Sequence, residues 1–199
     1  MLEQRRHQRI RFSSLPRVYL GYGGAVDVGG IENLSLSGLM VRTSLALEVG
    51  NTAGCEFSLF GSPLIDVPLS IVSRIGDVYG GRFQTGPINQ VIIEDAIEAA
   101  LASGHASILA VRDVGGRKIM RVIGGLNGSL RNDMMHALLR IGVEEMDLGS
   151  VTAVDQNGLA LCLVATGRHN VAIGEQSQCF ADAWKLAQAL PGSIPLPPV

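Results

Sequence analysis

Between Arg17 and about Gln84 the chain is a succession of short runs of β-type residues, each closed by a glycine-bearing turn: RVYLGY, AVDVGGIENLS, GLMVRTS, GCEFSLFG, LIDVPLSIVSRI and YGGRFQ. Runs of this length, with turn signals at such short intervals, leave no room for a long helix and predict a small antiparallel barrel or sandwich. The period then changes. In GPINQVIIEDAIEAALASG the residues Val91, Ile92, Ile93, Ala96, Ile97, Ala100 and Leu101 recur at helical spacing and Gly104 supplies a stop, so one helix closes the first half.

After Gly104 strands and helices alternate. SILAVRDV and RKIMRVIGG read as strands, LRNDMMHALLRIG as a helix, EEMDLGSV as a strand, NGLALCLVATGRH as a helix, NVAIG as a strand and QCFADAWKLAQAL as a helix. That order predicts an α/β unit, a sheet covered by helices. Two domains follow, residues 1–103 all-β with a closing helix and residues 104–190 α/β. The last stretch, PGSIPLPPV (191–199), carries four of the eight prolines and reads as an extended tail.

At 199 residues, 47% hydrophobic and 17% charged, the chain has the composition of an ordered globular protein. A net charge of -2 gives no general attraction to nucleic acid or acidic membranes. The three cysteines, Cys55, Cys162 and Cys179, lack C-x-x-C spacing and sit in apolar context, which predicts core thiols. LALCLVA (159–165) is too short to span a bilayer and no apolar run follows the N-terminal arginines, so the expected compartment is a reducing cytoplasm. No catalytic or metal-binding set emerges. His7, His105, His136 and His169 are isolated, and GYGGAVDVGG and GGLNGSL lack both the dinucleotide fingerprint and the P-loop lysine. No nucleophile elbow is present, and neither an enzymatic activity nor a cofactor is expected.

Against this acidic balance RRHQRIRF (5–12) stands out as a local basic feature. Arg5 and Arg9 form R-x-x-x-R, with Arg6 and Arg11 beside them. Guanidinium forks grip phosphates bidentately, pair with guanine O6 and N7, and stack on purines. A basic arm is also compatible with a solvated face. Downstream, NLSLSG places Asn33, Ser35 and Gly38 in the pattern [DN]-x-S-x-x-G, whose residue types equally suit an ordinary turn.

In this order, followed by VGNTAGCEFSLFG and YGGRF, the two motifs closely resemble a PilZ domain, the bacterial receptor module for cyclic di-GMP. The resemblance covers about residues 3 to 102. It implies a six-stranded barrel against whose outside an arginine-bearing segment wraps the ligand. Carried over, it makes Arg5 and Arg9 the clamp, Arg6 a helper, and Asn33, Ser35 and Gly38 the floor. Arg42 and Arg82 lie on predicted strands, where they could face the ligand, and are read as surface arginines.

Residues 104–190 resemble a STAS domain through MDLGSVTAVDQNGLALCLVA, preceded by RVIGGLN. In members of that family that antagonise anti-sigma factors, a serine in D-S-x-G is phosphorylated. Here the loop reads Asp155-Gln156-Asn157-Gly158, without a hydroxyl, and Asp155 is expected to act as a helix N-cap. The expected protein is a cyclic di-GMP receptor that signals through a ligand-ordered arginine arm to a STAS-like domain docking a partner protein. The rivals are a ligand-free adaptor, a STAS-type partner-switching regulator and, more remotely, an arm that binds RNA or DNA.

Overall fold

The computed structural model describes residues 8–189. The described chain divides into two compact units, one running to Ala100 and the other starting at Leu101.

The first unit contains seven strands: β1 (Ile10–Phe12), β2 (Arg17–Tyr22), β3 (Ala25–Ser35), β4 (Gly38–Arg42), β5 (Thr52–Phe57), β6 (Ile65–Ile75) and β7 (Val78–Phe83). All its strand pairs are antiparallel, in the order β3-β2-β5-β6-β7-β4, and β4 pairs back onto β3. A six-stranded barrel results, and closure leaves its strands without free edges. Period-two alternation sorts the side chains. Ala53, Cys55 and Phe57 on β5 and Ile65, Val67, Leu69 and Ile71 on β6 point inward, and the Phe57 ring stacks on Phe83 with centroids 6.0 Å apart. Helix α1 (Pro87–Ala102) follows, burying Ile93, Ala96 and Ala100. Val91, expected on its apolar face, is instead exposed, because the buried line runs along the other three.

The second unit contains β8 (Ala106–Val114), β9 (Arg117–Leu126), α2 (Arg131–His136), β10 (Glu145–Val154), α3 (Gln156–His169), β11 (Ala172–Gln176) and α4 (Gln178–Ala189). Strand order is β11-β10-β9-β8, with β8 and β9 an antiparallel hairpin and β9, β10 and β11 mutually parallel. The stretch expected as one helix from Leu130 to Gly142 widens into a π turn over Ala137–Ile141 and ends at Gly142, φ 74°.

All three helices press on one face of the sheet. Met120 and Val122 of β9 and Met146 and Leu148 of β10 meet Met134, Cys162 and Phe180 there, and the Trp184 ring stacks on Phe180 at 5.5 Å. The opposite face carries charge: Arg117 pairs with Glu145 at 2.9 Å, and Arg121 lies opposite Asp147 at 3.4 Å while donating to Ser150 Oγ at 2.8 Å. The expectation of a sheet covered by helices therefore holds for one face, while the other carries Arg117, Arg121, Glu145 and Asp147 beside the partly buried Ile119 and Ile123.

Asp155 caps α3, its Oδ1 accepting from Gly158 N–H at 2.7 Å. Gly158 itself is required by close packing, because a Cβ there would stand 2.1 Å from the Leu126 carbonyl oxygen. Cap and contact together account for the D-x-x-G spacing in structural terms.

Among the described residues no helix is long and apolar enough to cross a membrane. Cys55 and Cys162 are buried as expected, but Cys179 is exposed in the first turn of α4, where Phe180 takes the inward position. Burial pushes the Cys55 and Cys162 thiols up to about 12, with Asp66 and Glu56 adding to the effect at Cys55. Under native conditions near pH 8 a disulfide-exchange reagent should thus modify Cys179 rapidly and leave the other two untouched until the protein is unfolded. Rapid modification of all three would contradict this burial.

Candidate functional site

Strand β3 bends the two motifs toward one another. Its first part pairs with β2, from Ala25 to Gly30, and its last part pairs with β1, Ile10 opposite Leu34 and Arg11 opposite Asn33. On the other side it pairs with β4, and there the register slips between Ile31 and Asn33. This β-bulge at Glu32 is what sorts the side chains. Ile31 and Leu34 both enter the core, fully buried, while Asn33 turns outward, in register with Arg11 on one side and Met40 on the other.

Arg9 precedes β1 by one residue, is exposed, and brings Nη1 to 3.7 Å from Met40 Sδ. Arg9 and Met40 thus meet beside the strand that carries Asn33. At the C-terminal end of RRHQRIRF, Ile10–Phe12 form a strand because Ile10 and Phe12 bury their side chains. Arg5 and Arg6 lie outside the described residues.

Asn33 is 7% exposed, and its Oδ1 is buried without a hydrogen-bond partner among the described residues. A buried acceptor left unpaired costs about 1–3 kcal/mol, so this atom is an unmet demand for a donor. Ser35, also buried, ends β3; its hydroxyl donates to the Gly38 carbonyl at 3.1 Å and lies 3.3 Å from Ser37 Oγ. The two-residue turn Leu36–Ser37 leads into Gly38, and the Phe83 N–H of β7 donates to the Ser37 carbonyl at 3.0 Å. Gly38 pairs with Arg82 of β7, and a Cβ on it would lie 2.1 Å from the Gly81 carbonyl oxygen. The motif glycine is therefore a place where two backbones touch, and it leaves the outer surface there without a side chain.

Arg42 and Arg82, on β4 and β7, are both exposed but differ in their partners. Arg42 donates to Glu32 at 2.8 Å and to both Asp77 oxygens at 2.7 and 2.6 Å, and these carboxylates, Asp77 foremost, raise its pKa further. Its charge is spent within the barrel. Arg82 sits in register between Gly38 and Ser70. Arg11 opposite Asn33 and Arg82 beside Gly38 are the placements that sequence reasoning did not supply. The only signal for Arg11 was its two-residue step from Arg9, which puts both on one side of a strand.

The PilZ domain family model matches residues 3–103. No curated protein matches the chain. Among solved structures, the PilZ domain of YcgR from Escherichia coli with c-di-GMP is 18% identical, with 49% of this chain and 95% of that one covered and a TM-score of 0.39. The MrkH–c-di-GMP complex of K. pneumonia is 17% identical, covering 50% and 52%, with a TM-score of 0.42. The Borreliella burgdorferi PlzA protein in complex with c-di-GMP is 19% identical, covering 47% and 41%, with a TM-score of 0.36.

Adding a methyl group at residue 38 forces β4 from β7, so Gly38→Ala should lower the stability of the first unit by about 1–3 kcal/mol. Gly86→Ala, where a Cβ would meet nothing within 4 Å, serves as the control and should leave denaturant midpoints unchanged. Equal midpoints for both variants would mean that the approach at Gly38 relaxes freely.

Proposed function

Because the chain belongs to the PilZ domain family, whose model spans residues 3–103, we propose that its first unit is a cytoplasmic receptor for cyclic di-GMP, without catalysis. The observation that carries this reading is the orphaned Asn33 Oδ1, set on the outer face of the barrel between the arginine-bearing arm and the Gly38 floor. Guanine carries an N2 amino donor that can satisfy such an acceptor, while its O6 and N7 and the ligand's two phosphates call for guanidinium groups. Arg5 and Arg9, helped by Arg6, form the clamp, and Asn33, Ser35 and Gly38 form the floor. Ligand capture fixes the segment before Ile10 across the barrel. The resulting population shift is bounded by the ligand's differential affinity for the two states of that segment.

We read the second unit as a STAS-like docking module for a protein partner. Supporting this are the antiparallel β8–β9 hairpin, the parallel β10 and β11 reached through helices, and the capped start of α3 at Asp155. With glutamine and asparagine between Asp155 and Gly158, docking there does not depend on phosphorylation of that loop.

Calorimetric titration tests the receptor reading. Cyclic di-GMP should bind saturably and GTP should not, and raising salt should weaken the affinity. Arg9→Ala should lose about tenfold or more in affinity, the value of one charge-assisted contact, with an unchanged melting curve. Absence of binding by the unmodified protein would hand the lead to the adaptor reading. A partner captured from lysate by the full chain and by Arg9→Ala alike would belong to the ligand-independent surface, whereas one lost with Arg9→Ala would depend on the arm.

A further inference from the structure

On the outer face of the barrel the paired registers define two adjacent rungs. One runs Arg11, Asn33, Met40, Gly80 across β1, β3, β4 and β7, and the other runs Ser35, Gly38, Arg82, Ser70 across β3, β4, β7 and β6. Gly38 contributes no side chain, so the surface directly beside Arg82 on β4 is backbone against which a flat ring can lie, with Met40 flanking it. Arg9 and Arg11 bound this floor on the β1 side. Arg82 bounds it on the β7 side, three strand spacings away, which is about 14 Å along the sheet.

The charge of Arg82 is uncommitted. Among the described residues it forms no ion pair, and the positions flanking it on the outer face, Gly38, Met40, Pro68, Ser70, Gly80 and Gln84, include no carboxylate. Ser70 is already engaged, its Oγ accepting from Gln84 Nε2 at 2.7 Å. Arg42, two residues beyond Met40 on the same strand, shows the contrast, since Glu32 and Asp77 neutralise it.

Resting on the receptor reading above, we propose that Arg82 is a specificity-determining residue of the site, reading the guanine edge of the bound dinucleotide. With the phosphates drawn to the arm, a base laid over Gly38 presents its edge to β7. Guanine offers two acceptors there, O6 and N7, which match the two parallel donors of a guanidinium. Adenine replaces O6 by an amino donor, which faces the arginine donor to donor. Arg82 thereby separates guanine from adenine dinucleotides.

The test measures the affinities of the full-length protein for cyclic di-GMP and cyclic di-AMP, with Arg82→Ala and Arg82→Lys beside the unmodified chain and melting curves for all. Arg82→Ala should weaken cyclic di-GMP binding about 10- to 100-fold, the range for a charge-assisted bidentate contact. Cyclic di-AMP binding should stay as it was, so that discrimination collapses, and lysine should not restore it because it lacks the planar fork. Should Arg82→Ala fail to fold, Arg82→Gln gives the same comparison. The proposal is overturned if discrimination survives, whether because neither affinity changes or because both fall together, and equally if lysine restores it in full. A chain that binds cyclic di-GMP and loses it with Arg9→Ala but not with Arg82→Ala overturns this assignment alone. A chain that binds no cyclic di-GMP overturns the receptor reading and this one with it.

Discussion

The contact between Gly38 and the Gly81 carbonyl is the constraint on which the first unit turns. A six-stranded barrel is tightly curved, and closing it brings the β3–β4 turn against β7 at a distance no side chain tolerates. The Phe83 N–H then locks onto the Ser37 carbonyl. Once that junction forms, Ser35, Gly38 and Arg82 have fixed positions relative to one another, whether or not anything is bound. The floor of the candidate site is thus a by-product of barrel closure, and a preorganised floor spares a ligand part of the ordering cost of binding.

The bulge at Glu32 does comparable work along β3. Without it, strict alternation would put Ile31 and Asn33 on the same face, and one of them would be in the wrong medium. One extra residue lets Ile31 and Leu34 fill the core while Asn33 faces out beneath the arm. Glu32 uses its place to hold Arg42, so the same bulge removes one arginine from circulation. Local charge pairing therefore decides which arginines can meet an anion.

In the second unit, chemistry-like spacing resolves into architecture. Asp155 and Gly158 look like part of a functional loop, and each has a local duty, one capping α3 and the other admitting the Leu126 carbonyl. The charged ladder of Arg117, Glu145, Arg121 and Asp147 on the face away from the helices is mostly self-compensating. Such a surface suits specific polar recognition better than nonspecific attraction.

Much of this was legible in the residues. Element types and order follow from periodicity: β5 alternates throughout and β6 as far as Ile71, and the helical stretches announce themselves by spacing and by Asp155, Gly104 and Gly142 at their ends. The R-x-x-x-R and N-x-S-x-x-G motifs pointed to the family from sequence, and that resemblance turned a barrel or sandwich with a closing helix into a six-stranded barrel. Sequence failed where a side chain's direction depends on partners far along the chain. Cys179 went outward because Phe180 beside it took the core position, and Val91 because the helix buried a different stripe. Arg11 opposite Asn33 and Arg82 beside Gly38 could not be read at all, since register between distant strands is set by the bulge and by barrel closure. The sequence by itself determined which residues could bind an anion. Only the tertiary structure decided that Arg82 stands beside Gly38 while Arg42 is held by Glu32 and Asp77, because pairing and neutralisation are properties of neighbours in space.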